Sequence, residues 1–192
     1  DYKMELEIRA GTEYNKENPP NMAIWLENAS LYHIKTLHKP QGLQNTAESL
    51  PYWDFKRRGW EAAKKDAELS GKDLADELGV DAITQPTQNI SFDPQAYILP
   101  VDSDNPMPYR LLIEVDDPDD KQPSLVYYVE IDNSEPYVFQ LLELNGFPRQ
   151  EAQSEEGKEA WELYYVDDSF TTALNLIDSA LLTIERNFDN EE

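Results

Sequence analysis

The sequence predicts an all-β fold, an antiparallel β-sandwich of the immunoglobulin-like type with a short helical insertion. The first observation is that apolar and polar residues alternate in several short segments. The second is that turn-forming clusters such as DSDNPMP and DNSEP separate these segments at intervals of about 8–12 residues. The third is one stretch with helical character near residues 55–78. The 192 residues are therefore expected to form one sandwich domain, 1–192, with a helical insertion at about 55–78.

The predicted strands follow one another along the chain. In KMELEIR, Met4, Leu6 and Ile8 share one face and charged residues occupy the other. The segment NMAIWLENASLYHIKTL is interpreted as two strands joined by a turn at Asn28–Ser30, and NGFPRQ as a turn. The remaining predicted strands are QAYILPV, YRLLIEV, SLVYYVEI, YVFQLLEL, WELYYV and SALLTIER. The residues expected in the core include Leu6, Ile24, Leu111, Ile113, Tyr127 and Val129.

The segment DFKRRGWEAAKKDAELSGKDLADELG departs from the strand pattern. Asp54 is suited to cap the start of a helix, and Trp60 and Ala63 recur at helical spacing. Gly79 stands where a left-handed residue would end the helical region. We therefore expect a helical insertion across one end of the sandwich.

The composition limits the classes of function. Hydrophobic residues make up 40% of the chain, enough to fill a core, and no apolar run is long enough to span a membrane. The absence of Cys excludes disulfides, thiolate metal sites and cysteine nucleophiles. The formal net charge is −23. Residues 1–72 hold 11 basic and 11 acidic side chains, whereas residues 73–192 hold 5 basic and 28 acidic side chains. Such a chain repels nucleic acid and anionic lipid, so neither a nucleic-acid partner nor membrane insertion is expected.

Two features favour an exported protein. The chain begins at Asp1 rather than Met, as a mature form does after cleavage, although a trimmed chain would begin in the same way. The lack of Cys agrees slightly better with an oxidising cell envelope than with the cytosol. We therefore expect a periplasmic or secreted location.

The usual catalytic patterns are absent. The sequence has neither a glycine-rich dinucleotide motif nor a phosphate-binding loop. Its two histidines, His33 and His38, are expected on opposite faces of a strand, which does not favour a metal pair. The 39 acidic residues would include many possible carboxylate pairs of the glycosidase kind and single out none of them, so a hydrolase is the third alternative. No catalytic residue is assigned, and a non-enzymatic protein is expected.

An acidic loop is a candidate metal site. Asp116, Asp117, Asp119 and Asp120 lie close together in VDDPDDKQP. Oxygen-rich loops bind calcium, which takes about 6–8 oxygen ligands. Asp is also a favoured turn residue, so a solvated turn is the alternative.

A group of aromatic residues is a candidate contact surface. Tyr52, Trp53 and Trp60 offer rings that would bind a partner protein or a small ligand if they were exposed. Core filling is the more usual role of such rings.

Five stretches occur in the order AIWLENASLYHIKTL, LPYWDF, VDAITQPT, YRLLIEVDD and QPSLVYYVEID. Their motif residues are Trp25, Leu26, Glu27, Ile34, Lys35, Thr36, Leu37, Leu50, Pro51, Trp53, Gln122, Pro123 and Ser124. Together they resemble the family of predicted bacterial periplasmic proteins named domain of unknown function 2271, over nearly the whole chain. One departure is Leu31, where members commonly have Gly, and it suggests a different hairpin. The resemblance implies export, a compact β-rich domain and an association with envelope redox proteins, but no activity.

The resemblance also raises the question of a flavin at Thr87, because members are often associated with the enzyme that attaches FMN to threonine. The attachment pattern resembles Ser/Thr-Gly-Ala-Thr, and the corresponding run here is Thr84-Gln85-Pro86-Thr87. Gly permits backbone conformations closed to Gln, and Pro86 removes an N–H and fixes φ. We therefore predict that Thr87 carries no covalent flavin. A flavin-carrying electron-transfer protein with FMN on Thr87 is the alternative function.

The function predicted from the sequence is a non-enzymatic, exported, acidic domain that binds an envelope partner protein or a small ligand. An envelope redox or metal-handling system is the context that the resemblance suggests. Calcium and FMN are the candidate cofactors, and the sequence requires neither.

Overall fold

The computed structural model describes residues 2–28, 31–40, 42, 45–69, 91–92, 109–132, 134–152 and 158–186. The strands are β1 (Tyr2–Ala10), β2 (Asn21–Glu27), β3 (His33–His38), β4 (Ser91–Phe92), β5 (Tyr109–Asp116), β6 (Leu125–Ile131), β7 (Tyr137–Leu141), β8 (Glu143–Gln150), β9 (Trp161–Tyr164) and β10 (Ile177–Arg186). The helices are α1 (Thr46–Ser49) and α2 (Pro51–Leu69), and a 3₁₀ turn covers Thr172–Asn175.

The strands form two antiparallel sheets. The smaller sheet has the order β4-β1-β10-β7 and the larger has the order β3-β2-β5-β6-β8-β9. Alternating side chains of both sheets meet in one core, which includes Leu6 of β1, Ile113 of β5 and Leu182 of β10. The prediction of an all-β sandwich with a short helical insertion is therefore confirmed.

The predicted core residues lie where the alternation placed them. Leu6, Ile24, Leu111, Ile113 and Val129 are all buried. Tyr127 is only partly buried, although it packs against the same core.

Helix α2 covers the outer face of the larger sheet. Leu50, just before the helix, and Trp53, in its first turn, pack on Ala23, Trp25 and Leu112, so β2 and β5 are buried on both faces. This double burial explains why AIWL and RLLI contain apolar residues at consecutive positions rather than only at alternate ones. Among the described helices, none is long and apolar enough to cross a membrane.

The helix begins earlier than predicted. Pro51 occupies its first position, where the missing N–H costs nothing. Asp54 does not cap the start; it lies in the first turn and accepts hydrogen bonds from Thr46 Oγ1 at 2.8 Å and Arg58 Nε at 2.8 Å. The expected continuation to residue 78, the Gly79 cap and the strand QAYILPV lie outside the described residues.

Two further predictions about strands were wrong in detail. YVFQLLEL is not one strand, because β7 belongs to the smaller sheet and β8 to the larger, with a break at Leu142. NGFPRQ is not a turn but part of β8. Gly146 there has φ of 150°, and an added Cβ would lie 2.4 Å from the backbone oxygen of Tyr164 in β9. The glycine therefore serves the close approach of two strands, not a turn.

The turn between β2 and β3 contains a residue in the left-handed conformation. Leu31 has φ of 65°, and its N–H donates to Asn28 O at 2.9 Å. The backbone conformation that Gly adopts most easily is thus present with Leu in that position.

Candidate functional site

The three aromatic candidates lie on α2 and face largely inward. The Trp53 ring is buried in the cluster between α2 and the larger sheet, and its Nε1 donates to Thr36 Oγ1 at 3.1 Å. Trp60 is buried at the edge of the main core, with its ring 5.6 Å from that of Tyr32. Tyr52 is half-buried, with its ring 6.2 Å from that of Trp25. The rings of Trp53 and Trp60 therefore hold the helix to the sandwich rather than form an open surface.

A buried carboxylate, Glu114 of β5, caps the N-terminus of α2. Its oxygens accept hydrogen bonds from the backbone N–H of Trp53 at 2.7 Å and of Tyr52 at 3.2 Å, and from Ser124 Oγ at 2.7 Å. These donors belong to the free N–H groups at the positive end of the helix. Complete burial nevertheless raises the pKa of Glu114 to about 7, against the opposing effect of these hydrogen bonds. Glu114 is an anchor between helix and sheet that no local sequence pattern reveals.

A second buried carboxylate, Glu27 of β2, lies in a paired charge cluster. Trp25 Nε1 donates to it at 3.1 Å, Lys56 Nζ lies at 3.4 Å and Arg110 Nη1 at 3.8 Å. Arg110 also stacks over the Tyr128 ring at 4.8 Å. Lys56 and Arg110 compensate the buried negative charge of Glu27. We therefore interpret the cluster as a structural contact between α2 and the larger sheet.

Glu27 and Glu114 are not placed as a glycosidase-type pair. Ala23 is the register partner of Glu114, and Glu27 lies four residues further along β2. At about 3.3 Å per residue, the backbone positions of the two residues are about 13 Å apart along the sheet. Glycosidase pairs lie about 5–9.5 Å apart. This pair therefore gives the hydrolase alternative no support.

The acidic loop candidate for calcium makes mostly local hydrogen bonds. Asp117 Oδ1 accepts from the Asp119 N–H at 3.0 Å, and Asp119 Oδ2 accepts from Asn18 Nδ2 at 3.0 Å. Asp120 accepts from the Gln122 N–H at 2.8 Å. Burial, followed by the charges of Asp120 and Asp117, raises the pKa of Asp116 to about 7.

In the described part of the chain, no group of three or more His, Cys, Asp or Glu side chains is arranged to hold a metal ion. Calcium binding at Asp116–Asp120 stays a prediction. Both histidines are buried; the Nε2 of His33 lies 2.7 Å from Thr36 Oγ1, and burial lowers the pKa of His38. Thr87, the flavin candidate, lies outside the described residues.

A surface that the sequence reasoning missed lies on β7. Tyr137, Phe139 and Leu141 alternate along this strand and are 53%, 60% and 60% exposed, whereas Val138 between them is buried. The rings of Tyr137 and Phe139 stack at 6.4 Å with an interplanar angle of 8°. We call these three residues the β7 row. The signal in the sequence is that apolar residues occupy both sets of alternating positions in YVFQL, with Tyr137, Phe139 and Leu141 on one face and Val138 on the other.

Among the described strands, β7 is an edge strand of the smaller sheet. The strand stands last in its sheet and pairs only with β10 among the described strands. The N–H of Leu142 donates to Ala180 O at 2.8 Å, and antiparallel bonding alternates along the strand. Val138 and Gln140 therefore bond to β10, and the backbone groups of the β7 row point to the open edge.

A cavity of about 210 Å³ adjoins this edge. It forms where the chain passes from β7 to β8, because β8 pairs with β6 only as far as Tyr128 and leaves Val129–Ile131 without a β8 partner. Its lining residues are Tyr128, Val129, Glu130, Gln140, Leu141 and Glu143. The cavity is acidic at its rim, since Glu130 and Glu143 are exposed. Arg110 lies opposite Glu130 on the neighbouring strand β5, but the guanidinium of Arg110 forms an ion pair with Glu27.

Comparison with the models of known protein families, with curated proteins and with solved structures finds no match for this chain. The features of the described surface that point to a function are the β7 row and the cavity beside it.

Proposed function

We propose that this chain is a non-enzymatic, exported domain that binds a partner protein through the β7 row. The observation that carries the proposal is an exposed apolar row on an edge strand whose backbone faces outward. Natural proteins usually protect such an edge with charges, Pro or a covering segment, because it otherwise pairs with another chain. The β7 row has none of the charges or Pro residues that give this protection.

The shape of the surface favours a protein over a small ligand. The row extends over five residues, or about 13 Å from Tyr137 to Leu141 at about 3.3 Å per residue. Half-buried Leu181 and Thr183 of β10 lie opposite Leu141 and Phe139 and widen the apolar area. Aromatic side chains are enriched at protein interfaces, and extended apolar patches on a surface commonly mark them.

Export and an envelope redox or metal-handling context rest on the sequence. They are supported by the resemblance to the periplasmic family, by the lack of Cys and by the acidic composition. The partner is accordingly proposed to be another protein of the cell envelope.

Site-specific photocrosslinking in the native host tests the proposal. The photoreactive amino acid p-benzoylphenylalanine replaces Phe139 in one variant and Tyr165 in a matched control, because Tyr165 is an aromatic residue with 97% exposure just after β9. We expect one discrete adduct from position 139, identified by mass spectrometry as a single envelope protein, and none from position 165. The same adducts from both positions, none from position 139, or an adduct with a second copy of the chain would overturn the proposal.

A further inference from the structure

We infer that the partner contributes an extended segment in which apolar and basic residues alternate, and that this segment adds to β7 as a fifth strand of the smaller sheet. The inference rests on the proposed function and specifies how the same surface is used. Three observations carry it: the outward backbone of the β7 row, the two different surroundings on either side of the open edge, and the charge of the chain.

The open edge is suited to strand addition. The N–H and C=O groups of Tyr137, Phe139 and Leu141 point away from β10, as the alternation from the Leu142–Ala180 hydrogen bond requires. An incoming extended segment would satisfy these groups with main-chain hydrogen bonds. Five residues of β7 give a pairing length of about 17 Å.

The side chains of an added strand would meet two different environments. On the outer face they would lie beside the β7 row, which takes apolar groups. On the inner face they would lie beside Gln140 at the cavity, whose lining also includes the acidic residues Glu130 and Glu143. Because strand side chains alternate between faces, the matching segment alternates apolar residues with Lys or Arg.

The charge of the chain argues against its own segments as occupants. Residues 73–108 contain seven acidic residues and no Lys or Arg, and residues 187–192 contain three acidic residues and no Lys or Arg. A second copy brings a formal net charge of −23 to a surface that is already acidic. A basic segment of a different protein is the occupant that the charges favour.

Binding of synthetic peptides to the purified full chain tests the inference. The probe is a nine-residue peptide in which Val alternates with Lys, and its matched control has Glu in place of Lys. Two further peptides carry N-methyl groups either on every Val or on every Lys, since an added strand directs only alternate N–H groups toward β7. Fluorescence anisotropy at low salt measures the affinities.

We expect the Val–Lys peptide to bind and the Val–Glu peptide not to bind. One N-methylated peptide should lose affinity by about tenfold or more, while the other keeps it. Equal binding of both N-methylated peptides would mean that charge alone holds the peptide, and would overturn the inference. No binding of the Val–Lys peptide would overturn it as well.

Protein variants locate the contact. The double variant E130K/E143K reverses the rim charges, and F139S removes the central ring of the β7 row; each should weaken binding by about tenfold or more. The matched control E13K/E17K makes the same charge change in the exposed turn after β1 and should lower affinity less. Equal losses in both double variants would overturn the inference. An unfolding midpoint measured for each variant ensures that folded proteins are compared.

The inference and the proposed function fail in different ways. If position 139 crosslinks to an envelope protein but the peptides do not bind as expected, the partner uses the surface without adding a strand, and only the inference falls. If position 139 gives no specific adduct, the proposed function itself falls.

Discussion

Replacement of Glu114 by Gln should change how the stability of this protein depends on pH. Burial raises the pKa of Glu114 from 4.5 to about 7, so the folded protein holds this proton more tightly than the unfolded chain does. The stabilisation from the bound proton is complete below pH 4.5 and is lost as the pH rises through about 7. Gln cannot ionise, so a Gln at this position does not lose stabilisation as the pH rises.

The magnitude follows from the two pKa values. The interval from 4.5 to about 7 corresponds to about 3 kcal/mol of unfolding free energy. Gln resembles the protonated acid, since its oxygen can accept from the Trp53 N–H while its NH2 group donates to Ser124 Oγ, and only the longer contact with the Tyr52 N–H is lost. We therefore expect E114Q to match the wild-type protein within about 1 kcal/mol at pH 4.5, because the caps are similar. Between pH 4.5 and pH 8.5 the difference should shift by about 3 kcal/mol in favour of E114Q.

Urea unfolding of both proteins at several pH values measures this difference. The repulsion within a chain of charge −23 also reduces stability as the pH rises, but it affects both proteins alike and cancels. The charge of Asp116 is one cause of the raised Glu114 pKa, so the difference between the two proteins includes its effect. The control variant E13Q removes an exposed carboxylate and should show no such shift. Parallel curves for E114Q and the wild-type protein would refute the reasoning. They would mean that the helix N-terminus keeps Glu114 ionised despite its burial.

Three other outcomes are expected. Gly146→Ala should lower the unfolding free energy by at least about 2 kcal/mol in urea titrations, because its Cβ would meet Tyr164 O at 2.4 Å; an unchanged midpoint would contradict the packing of β8 on β9. The melting temperature should rise from low to moderate salt, and it should rise further with calcium at matched ionic strength if Asp116–Asp120 form a specific site. Co-expression with an FMN transferase should leave the intact mass unchanged, whereas an added FMN phosphoester that is lost in Thr87→Ala would show an electron carrier.

Much of the fold can be predicted from the sequence because period-two alternation is local. Met4, Leu6 and Ile8 identify β1 and its buried face without any tertiary information. Prediction failed where a distant contact decides the structure. NGFPRQ has the composition of a turn, but the partner of Gly146 is Tyr164 in another strand, and only their approach explains the glycine.

The functional surface was harder to predict for the same reason. The carboxylate that caps α2 lies 61 residues away from Trp53 in sequence, so no capping pattern could identify it. Tyr52, Trp53 and Trp60 have the composition of a contact site, but α2 turns the two Trp rings inward. The β7 row can be recognised only from the structure, because the strand breaks at Leu142 and β7 lies at the edge of the smaller sheet.

Residue-resolved amide hydrogen exchange tests most directly whether the open edge of β7 is the binding surface. In the free protein, the amides of Tyr137, Phe139 and Leu141 should exchange rapidly, while those of Val138 and Gln140, which bond to β10, exchange slowly. Saturation with the Val–Lys peptide should slow the three rapid amides and leave the other strands of the smaller sheet unchanged. Slow exchange of all five amides in the free protein, or no change on binding, would contradict the account.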